Sequence, residues 1–248
     1  MVGIITSHSG LRPEAKRYIM AGRGVVVDIA GRGDFTTVQD ACDYMKARDI
    51  DGGPGGPGHV WIRAGTYAGF STNQNETRFE GESWDTIIDG GTDSHAIDCQ
   101  SFQCQFENLT VKTTAGGGTS YNAVNMAGGY CHMLRLQVTN SDNDGILCTG
   151  YNNVIDGCKL DTADRYSLAS SYYSNIMVNN LCGGDTGATY AIALLSGADR
   201  GVVAQNYANS AILINSGADS NVVQGNTIDR AVSDSGSSNQ LTGSNVVW

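Results

Sequence analysis

The feature that most constrains this chain is a repeat. Eight-residue segments lie over one another at CHMLRLQV (131–138), NVIDGCKL (153–160), NIMVNNLC (175–182), GVVAQNYA (201–208) and NVVQGNTI (221–228). Their starts are 22, 22, 26 and 20 residues apart, and an earlier copy, CQFENLTV, starts 27 residues upstream at Cys104. A second short unit keeps the same beat: AIDC (96), AVNM (123), GILC (145), SLAS (167), AIAL (191) and AILI (211). Short apolar runs at this period, separated by Gly, Asn, Asp and Ser, specify a solenoid in which each repeat stacks only on its neighbours.

Three columns of the aligned units carry the architecture. The third position reads Phe106, Met133, Ile155, Met177, Val203, Val223, and the eighth reads Val111, Val138, Leu160, Cys182, Ala208, Ile228. Both are apolar throughout. Alternate residues such as Glu107, Lys112, Arg135 and Lys159 are polar, the pattern of a strand with one wet face. The sixth position changes from Leu109, Leu136 and Cys158 to Asn180, Asn206 and Asn226. Stacked asparagines let each amide donate to the amide of the next coil, which satisfies polar groups buried at a bend.

The chain divides into an N-terminal arm and first strand (1–33), a capping helix and Gly/Pro loop (34–58), the solenoid (59–232) and an end segment (233–248). Val25–Ile29 reads as a strand, and apolar residues at 38, 41, 42 and 45 have helical spacing. Thr36 or Thr37 suits the N-cap. Such a helix covers the apolar edge that the first coil would otherwise expose. A strand is expected at His59–Ile62, a turn at Arg63–Tyr67, a second strand at Thr86–Ile88 and an irregular stretch from Phe70 to Asp93. The loop Asp51–Gly58 lacks the GK[ST] ending of a phosphate loop and reads as a connector.

Charge narrows the partners. A net charge of −10 excludes nucleic acid and anionic membrane surfaces, which need clustered Lys and Arg. No apolar run approaches the roughly 18–20 residues of a membrane span, and the first twenty residues lack the order of a secretory signal. Seven cysteines, an odd count without a signal, are expected to be reduced, small and apolar.

The turns after the eight-residue units collect acids: TNSDNDG (139–145), DTAD (161–164) and GGDTG (183–187). Stacking would bring Asp142, Asp144, Asp161, Asp164 and Asp185 to one side, about 5 Å apart per coil. Carboxylates at that spacing suit acid–base glycoside chemistry or a calcium ion. They also suit simple turn formation. The catalytic candidates are Asp142, Asp144, Asp161 and Asp164; the carbohydrate-contact candidates are Arg165, Tyr166, Tyr172 and Asp185. No cofactor is expected beyond a calcium ion in these turns. Tyr121, Tyr130, Tyr151, Tyr166, Tyr172, Tyr173 and Tyr190 make the middle of the chain tyrosine-rich, which suits sugar stacking, subunit contact or local packing.

GRGDFTTVQDACDYM followed by GHVWIRAGTY (residues 31–67) resembles the opening of pectin-lyase-like proteins, with their "G-x-F-x-T-[IV]-Q-x-A" helix and "V-x-I-x-x-G-x-Y" first strand. The resemblance implies an all-β, right-handed parallel β-helix with a short N-terminal helical cap. It implies no activity, because the pectinesterase, polygalacturonase and epimerase blocks are missing. The expected role is therefore a non-enzymatic structural or adhesive protein resembling bacteriophage tailspike or other virion components. It would be a homotrimer, joined to other virion proteins through the N-terminal arm and binding surface carbohydrate. Its expected location is the virion, or otherwise the cytoplasm or the medium. The alternatives are a polysaccharide lyase or glycoside hydrolase using the acidic turns, and a calcium-stabilised carbohydrate-binding module.

Overall fold

The computed structural model describes residues 23–47, 58–72, 74–114, 121–183 and 190–242, with the backbone of 246–247. Among the described residues, the strands form three parallel sheets of ten, nine and eight strands. After β1 (Gly24–Val27) and the helix α1 (Val38–Ala47), the chain repeats one circuit: a first-sheet strand, a second-sheet strand, a third-sheet strand. The first circuit is β2 (Gly58–Ile62), β3 (Gly65–Ala68) and β4 (Phe70–Thr72). Eight such coils stack, so every strand pairs with its equivalent one coil away, as the repeat requires.

In-register pairing turns sequence columns into interior ladders. The third-position residues Phe106, Met133 and Ile155 are register partners in turn, and each is fully buried. Phe79 extends this ladder by one coil and stacks on Phe106 with centroids 4.9 Å apart and planes 6° from parallel. The eighth-position column from Val111 to Ile228 is buried as well. Each such side chain contributes on the order of 1.5–3 kcal/mol when withdrawn from water. All seven cysteines are free and buried. Burial pushes the thiols of Cys42, Cys148, Cys158 and Cys182 up, so they act as small apolar groups.

Two of the three corners are tight. Leaving the first sheet, each coil from the third on places one residue in the left-handed region: Asn108, Arg135, Gly157, Asn179, Gln205, Gly225. Entering it, the same is true of Gln103, Tyr130, Asn152, Ser174, Arg200 and Ser220. The expected asparagine ladder lines the first of these corners. Asn180 Nδ2 donates to Asn206 Oδ1 at 3.0 Å, and Asn206 Nδ2 donates to Asn226 Oδ1 at 3.0 Å. A second ladder lines the other corner, at the first position of each unit. There the N–H groups of Cys131, Asn153, Gly201 and Asn221 donate to Oδ1 of Asn153, Asn175, Asn221 and Asn239 at 2.7–2.9 Å. The corner between the second and third sheets is wide and variable.

The helix caps the stack as its spacing predicts. Val38, Ala41, Cys42 and Met45 are buried and face the core, against β1, β2 and β4. Thr37 is the N-cap: its Oγ1 accepts the Asp40 N–H at 3.1 Å and donates to the Asp40 carboxylate at 2.6 Å.

Three local expectations need correction. The first strand ends at Val27, because the Asp28 side chain turns back to accept the Ala30 N–H at 2.8 Å. The expected turn 63–67 contains a strand, β3, which pairs with β6 (Thr86–Asp89). The stretch 70–93 is a regular coil with β4, β5 (Thr77–Gly81) and β6; polar Thr72, Gln74 and Thr77 occupy inward columns there and mask the periodicity. Among the described residues no helix is long and apolar enough to cross a membrane. Residues 1–22 of the N-terminal arm and 48–57, nearly all of the Gly/Pro loop, lie outside the described residues.

Candidate functional site

The acidic turns at 139–145 and 161–164 lie on the wide corner between the second and third sheets. Asp144, between β12 (Gln137–Asn140) and β13 (Ile146–Cys148), is fully buried. Its two carboxylate oxygens accept hydrogen bonds from Arg165 of the next coil, from Nε at 2.8 Å and from Nη2. That pairing raises the Arg165 pKa further above its ordinary value. The guanidinium carbon also sits 5.0 Å from the centroid of the Tyr166 ring, within cation–π range. Asp161 accepts from Lys159 Nζ at 3.0 Å and from Gln137 Nε2 at 3.3 Å. The Asp142 N–H donates to Thr113 Oγ1 at 3.1 Å, while Asp164 is exposed at the rim.

These contacts tie Asp144 and Asp161 into the scaffold. Asp144 and Arg165 hold one coil to the next; Asp144 is buried under that pairing, while Arg165 stays about half exposed. Among the described residues, no three of these acids come close enough to share a cation. Asp185 lies outside the described residues. Tyr172 sits on another corner, separated from Arg165 and Tyr166 by β16 (Leu168–Ser170).

Tyr172 belongs instead to an aromatic strip along the corner between the third and first sheets. Phe102, Tyr151 and Tyr173 occupy one column, two residues before each first-position residue; Gly129 holds that place in the coil between Phe102 and Tyr151. Without a side chain at Gly129 the neighbours lean together. The Phe102 and Tyr151 centroids are 6.2 Å apart, and a Cβ on Gly129 would lie 3.3 Å from the Phe102 ring. Tyr151 stacks on Tyr173 at 5.3 Å and 18°, Tyr130 meets Tyr151 edge-on at 5.4 Å, and Tyr172 packs on Tyr173 at 4.7 Å. Phe102, Tyr130, Tyr172 and Tyr173 are exposed, with Tyr130 at 57%. Five rings thus continue over four coils, in mutual contact and open to solvent on one side.

A second cluster covers the N-terminal half of the first sheet's outer face. Glu80 on β5 and Glu107 on β8 (Gln105–Glu107) are register partners on adjacent strands. Arg78 Nη2 bridges them, 3.2 Å from Glu80 and in direct contact with Glu107. His59 Nε2 lies 3.1 Å from Glu80, and Arg135 Nη2 lies 3.6 Å from Glu107. Gln105 Nε2 donates to Glu107 at 3.1 Å. Alternation places Glu107 on the wet face, yet it is only 1% exposed, which corrects that expectation. Charges withdrawn this far from water persist only when paired and hydrogen-bonded, as these are. Beside them opens a groove of about 780 Å³ lined by Glu82, Ser83, Trp84, Asp85, Asn108 and Arg135. Trp84 is half exposed there and anchored by its indole N–H, which donates to the Arg135 carbonyl at 3.2 Å.

The two clusters differ in what they can do. In the charged cluster Glu80 Oε2 and both Glu107 oxygens are engaged by guanidinium, imidazole and amide groups. The aromatic strip is packed ring on ring and keeps Phe102, Tyr130, Tyr172 and Tyr173 exposed to solvent. In sequence its tyrosines other than Tyr172 show only as members of a tyrosine-rich middle, and Phe102 does not stand out at all. The signal lies in the residues two before each aligned unit, which read Phe102, Gly129, Tyr151 and Tyr173. For Glu80 and Glu107 it lies in the equivalent fourth position of adjacent repeats.

No protein-family profile and no curated protein sequence matches the chain. Solved structures do. The carrot pectin methylesterase aligns over 90% of this chain and 83% of its own, with a TM-score of 0.53 and 13% identity. The Aspergillus niger pectin methylesterase aligns over 90% and 86%, with a TM-score of 0.51 and 13% identity. The mannuronan C-5 epimerase A-module of Azotobacter vinelandii aligns over 85% and 74%, with a TM-score of 0.41 and 15% identity. At such identities the likeness is one of backbone path. The chain has the right-handed parallel β-helix fold of the pectin-lyase-like proteins.

Proposed function

We propose that this protein binds an extended, neutral polysaccharide lying parallel to the solenoid axis along the strip of Phe102, Tyr130, Tyr151, Tyr172 and Tyr173. The observation that carries the reading is the continuity of five contacting rings over four coils. Coils repeat at about 4.8 Å, close to the length of one sugar ring, so successive units meet successive aromatics. Tyrosine suits this task because an apolar ring face meets sugar C–H groups while its hydroxyl stays wet. A net charge of −10 repels polyanions and favours a neutral glycan. Fold analogy points to a polysaccharide of some kind, since the two pectin methylesterases are named for a polysaccharide substrate.

The test is affinity electrophoresis and calorimetry with a panel of neutral and acidic polysaccharides. Tyr151→Ala combined with Tyr173→Ala weakens binding of a neutral glycan at least tenfold, while unfolding stays cooperative. Unchanged affinity in the double variant removes the strip from the reading.

A second reading, a polysaccharide hydrolase or lyase, is favoured by one observation: the register-paired carboxylates Glu80 and Glu107 next to the Trp84 groove. Side chains on adjacent strands of one face have the separation that retaining glycoside hydrolysis uses, about 5 Å. Substrate would have to displace Arg78 from Glu107. Reducing-end assays with Glu107→Gln decide it: wild-type turnover that the variant lacks would place catalysis here. An adhesive homotrimer in a virion is compatible with the binding reading, and native mass measurement showing only monomer would remove the trimer.

A further inference from the structure

Three of the buried cysteines converge on one point of the interior. Cys99 ends β7 (Ile97–Cys99), Cys104 precedes β8, and Cys131 precedes β11 (His132–Leu134) in the next coil. All three are at most 1% exposed, and their sulfurs lie within 4.8 Å of one another, with Cys99 and Cys131 at 3.8 Å.

The solenoid shows what this corner looks like without sulfur. In the following coils Asn153 and Asn175 take the same column. Asn153 Nδ2 donates to the Gly128 carbonyl at 3.0 Å, and its Oδ1 accepts the Cys131 N–H at 2.9 Å. One amide thus closes the gap between coils. In the cysteine coils the Cys104 N–H meets Cys131 Sγ at 3.4 Å, and Cys131 Sγ in turn faces the Ser101 carbonyl at 3.2 Å. A thiol carries a single weak donor where an amide carries two strong ones. The ladder alone therefore gives no reason to prefer sulfur here, and none for Cys99, which stands one strand away in a different column.

The coil beneath supplies an independent sign of a missing partner. Thr72, the register partner of Cys99, and Gln74, whose carbonyl accepts from Cys104 Sγ at 3.2 Å, are both fully buried. Among the described residues, the Thr72 hydroxyl and both polar atoms of the Gln74 amide have no hydrogen-bond partner. Orphaned polar groups in such a place are destabilising unless something else engages them.

We infer that Cys99, Cys104 and Cys131 form a thiolate site for a thiophilic divalent cation of the zinc and cadmium class, with the Gln74 amide oxygen supplying a fourth, neutral ligand. The geometry agrees with the chemistry. Tetrahedral zinc with bonds of about 2.3 Å sets its sulfurs about 3.8 Å apart, the separation of Cys99 and Cys131. Softness of the three sulfurs selects this class over calcium or magnesium, which take oxygen. Binding releases the three thiol protons to solvent as three metal–sulfur bonds form. Because the site is closed, the ion enters as the coils assemble, and metal binding adds to folding free energy.

The experiment is elemental analysis and thermal unfolding of the full chain, expressed in zinc-supplemented medium and purified under reducing conditions. Cys131→Asn installs the residue that the next two coils use in this column, so the corner keeps a hydrogen-bonding side chain. Cys182→Ser, outside the cluster, is the control. Wild type and Cys182→Ser retain one zinc per chain, and cadmium loaded during refolding gives a thiolate-to-metal charge-transfer band. Cys131→Asn loses both the metal and the band, and its melting temperature no longer responds to zinc. A folded wild type free of zinc and without the cadmium band would overturn the assignment, as would equal metal content in wild type and Cys131→Asn.

Discussion

At Asn206 one side chain closes four hydrogen bonds. Its Oδ1 accepts the backbone and side-chain N–H groups of Asn180 at 2.9 and 3.0 Å, and its Nδ2 donates to the Met177 carbonyl and to Asn226 Oδ1. Truncation therefore orphans buried groups in the coils on both sides. Asn206→Ala is expected to cost about 3 kcal/mol, read as a lower urea midpoint at constant slope. A cost below about 0.5 kcal/mol would mean that water replaces the amide. At the wide corner, Asp144→Asn weakens a pair whose arginine is half exposed, so solvent screening discounts its effect to about 1 kcal/mol. Because Asp144 and Arg165 join coils and contact no proposed ligand, this variant binds polysaccharide like wild type.

At the scale of the element, the corners show two different uses of glycine. Gly157 has φ +63°, and a Cβ there would meet nothing closer than Arg135 Cγ at 3.8 Å. Gly157→Ala should cost only the backbone term, about 1 kcal/mol. Gly128 stands against the backbone of the coil beneath, where a Cβ would fall 1.6 Å from the Ser101 carbonyl oxygen. Gly128→Ala has to push neighbouring coils apart, so its cost in the same denaturation experiment should exceed that of Gly157→Ala severalfold. These elements also show what was legible beforehand. The columns headed by Phe106 and Val111, and the asparagines at 180, 206 and 226, could be read because identical chemistry recurs at a fixed period. The coil at 70–93 could not, because Thr72, Gln74 and Thr77 put polar atoms into interior columns. The pairing within the acidic turns was hidden for a related reason: the sequence places Asp144 and Arg165 in successive turns but does not show that each satisfies the other. Phe102, Tyr151 and Tyr173 lie outside the eight-residue unit, so a column through them appears only when the corner before it is aligned as well.

Across the whole molecule, stability in a solenoid is close to a sum of coil and neighbour terms. The helix α1 then protects the first coil chiefly and the far coils little. Met45 is fully buried beneath that coil. Met45→Ala should cost about 3 kcal/mol, and amide exchange should rise first in β2, β3 and β4 while β20 (Val202–Ala204) and β23 (Val222–Gln224) stay protected. Uniform loss of protection would show one cooperative unit instead. The same linear order gives the binding reading its sharpest consequence, because a ligand lying along the axis meets one aromatic coil per sugar. The most direct measurement is calorimetric affinity for neutral oligosaccharides of increasing length, in wild type and in Tyr151→Ala. Affinity should climb until the chain spans about four coils, each about 4.8 Å, and then level off, with Tyr151→Ala flattening the climb at its middle. Affinity independent of length, or a climb unaltered by Tyr151→Ala, would contradict a polysaccharide lying on the strip.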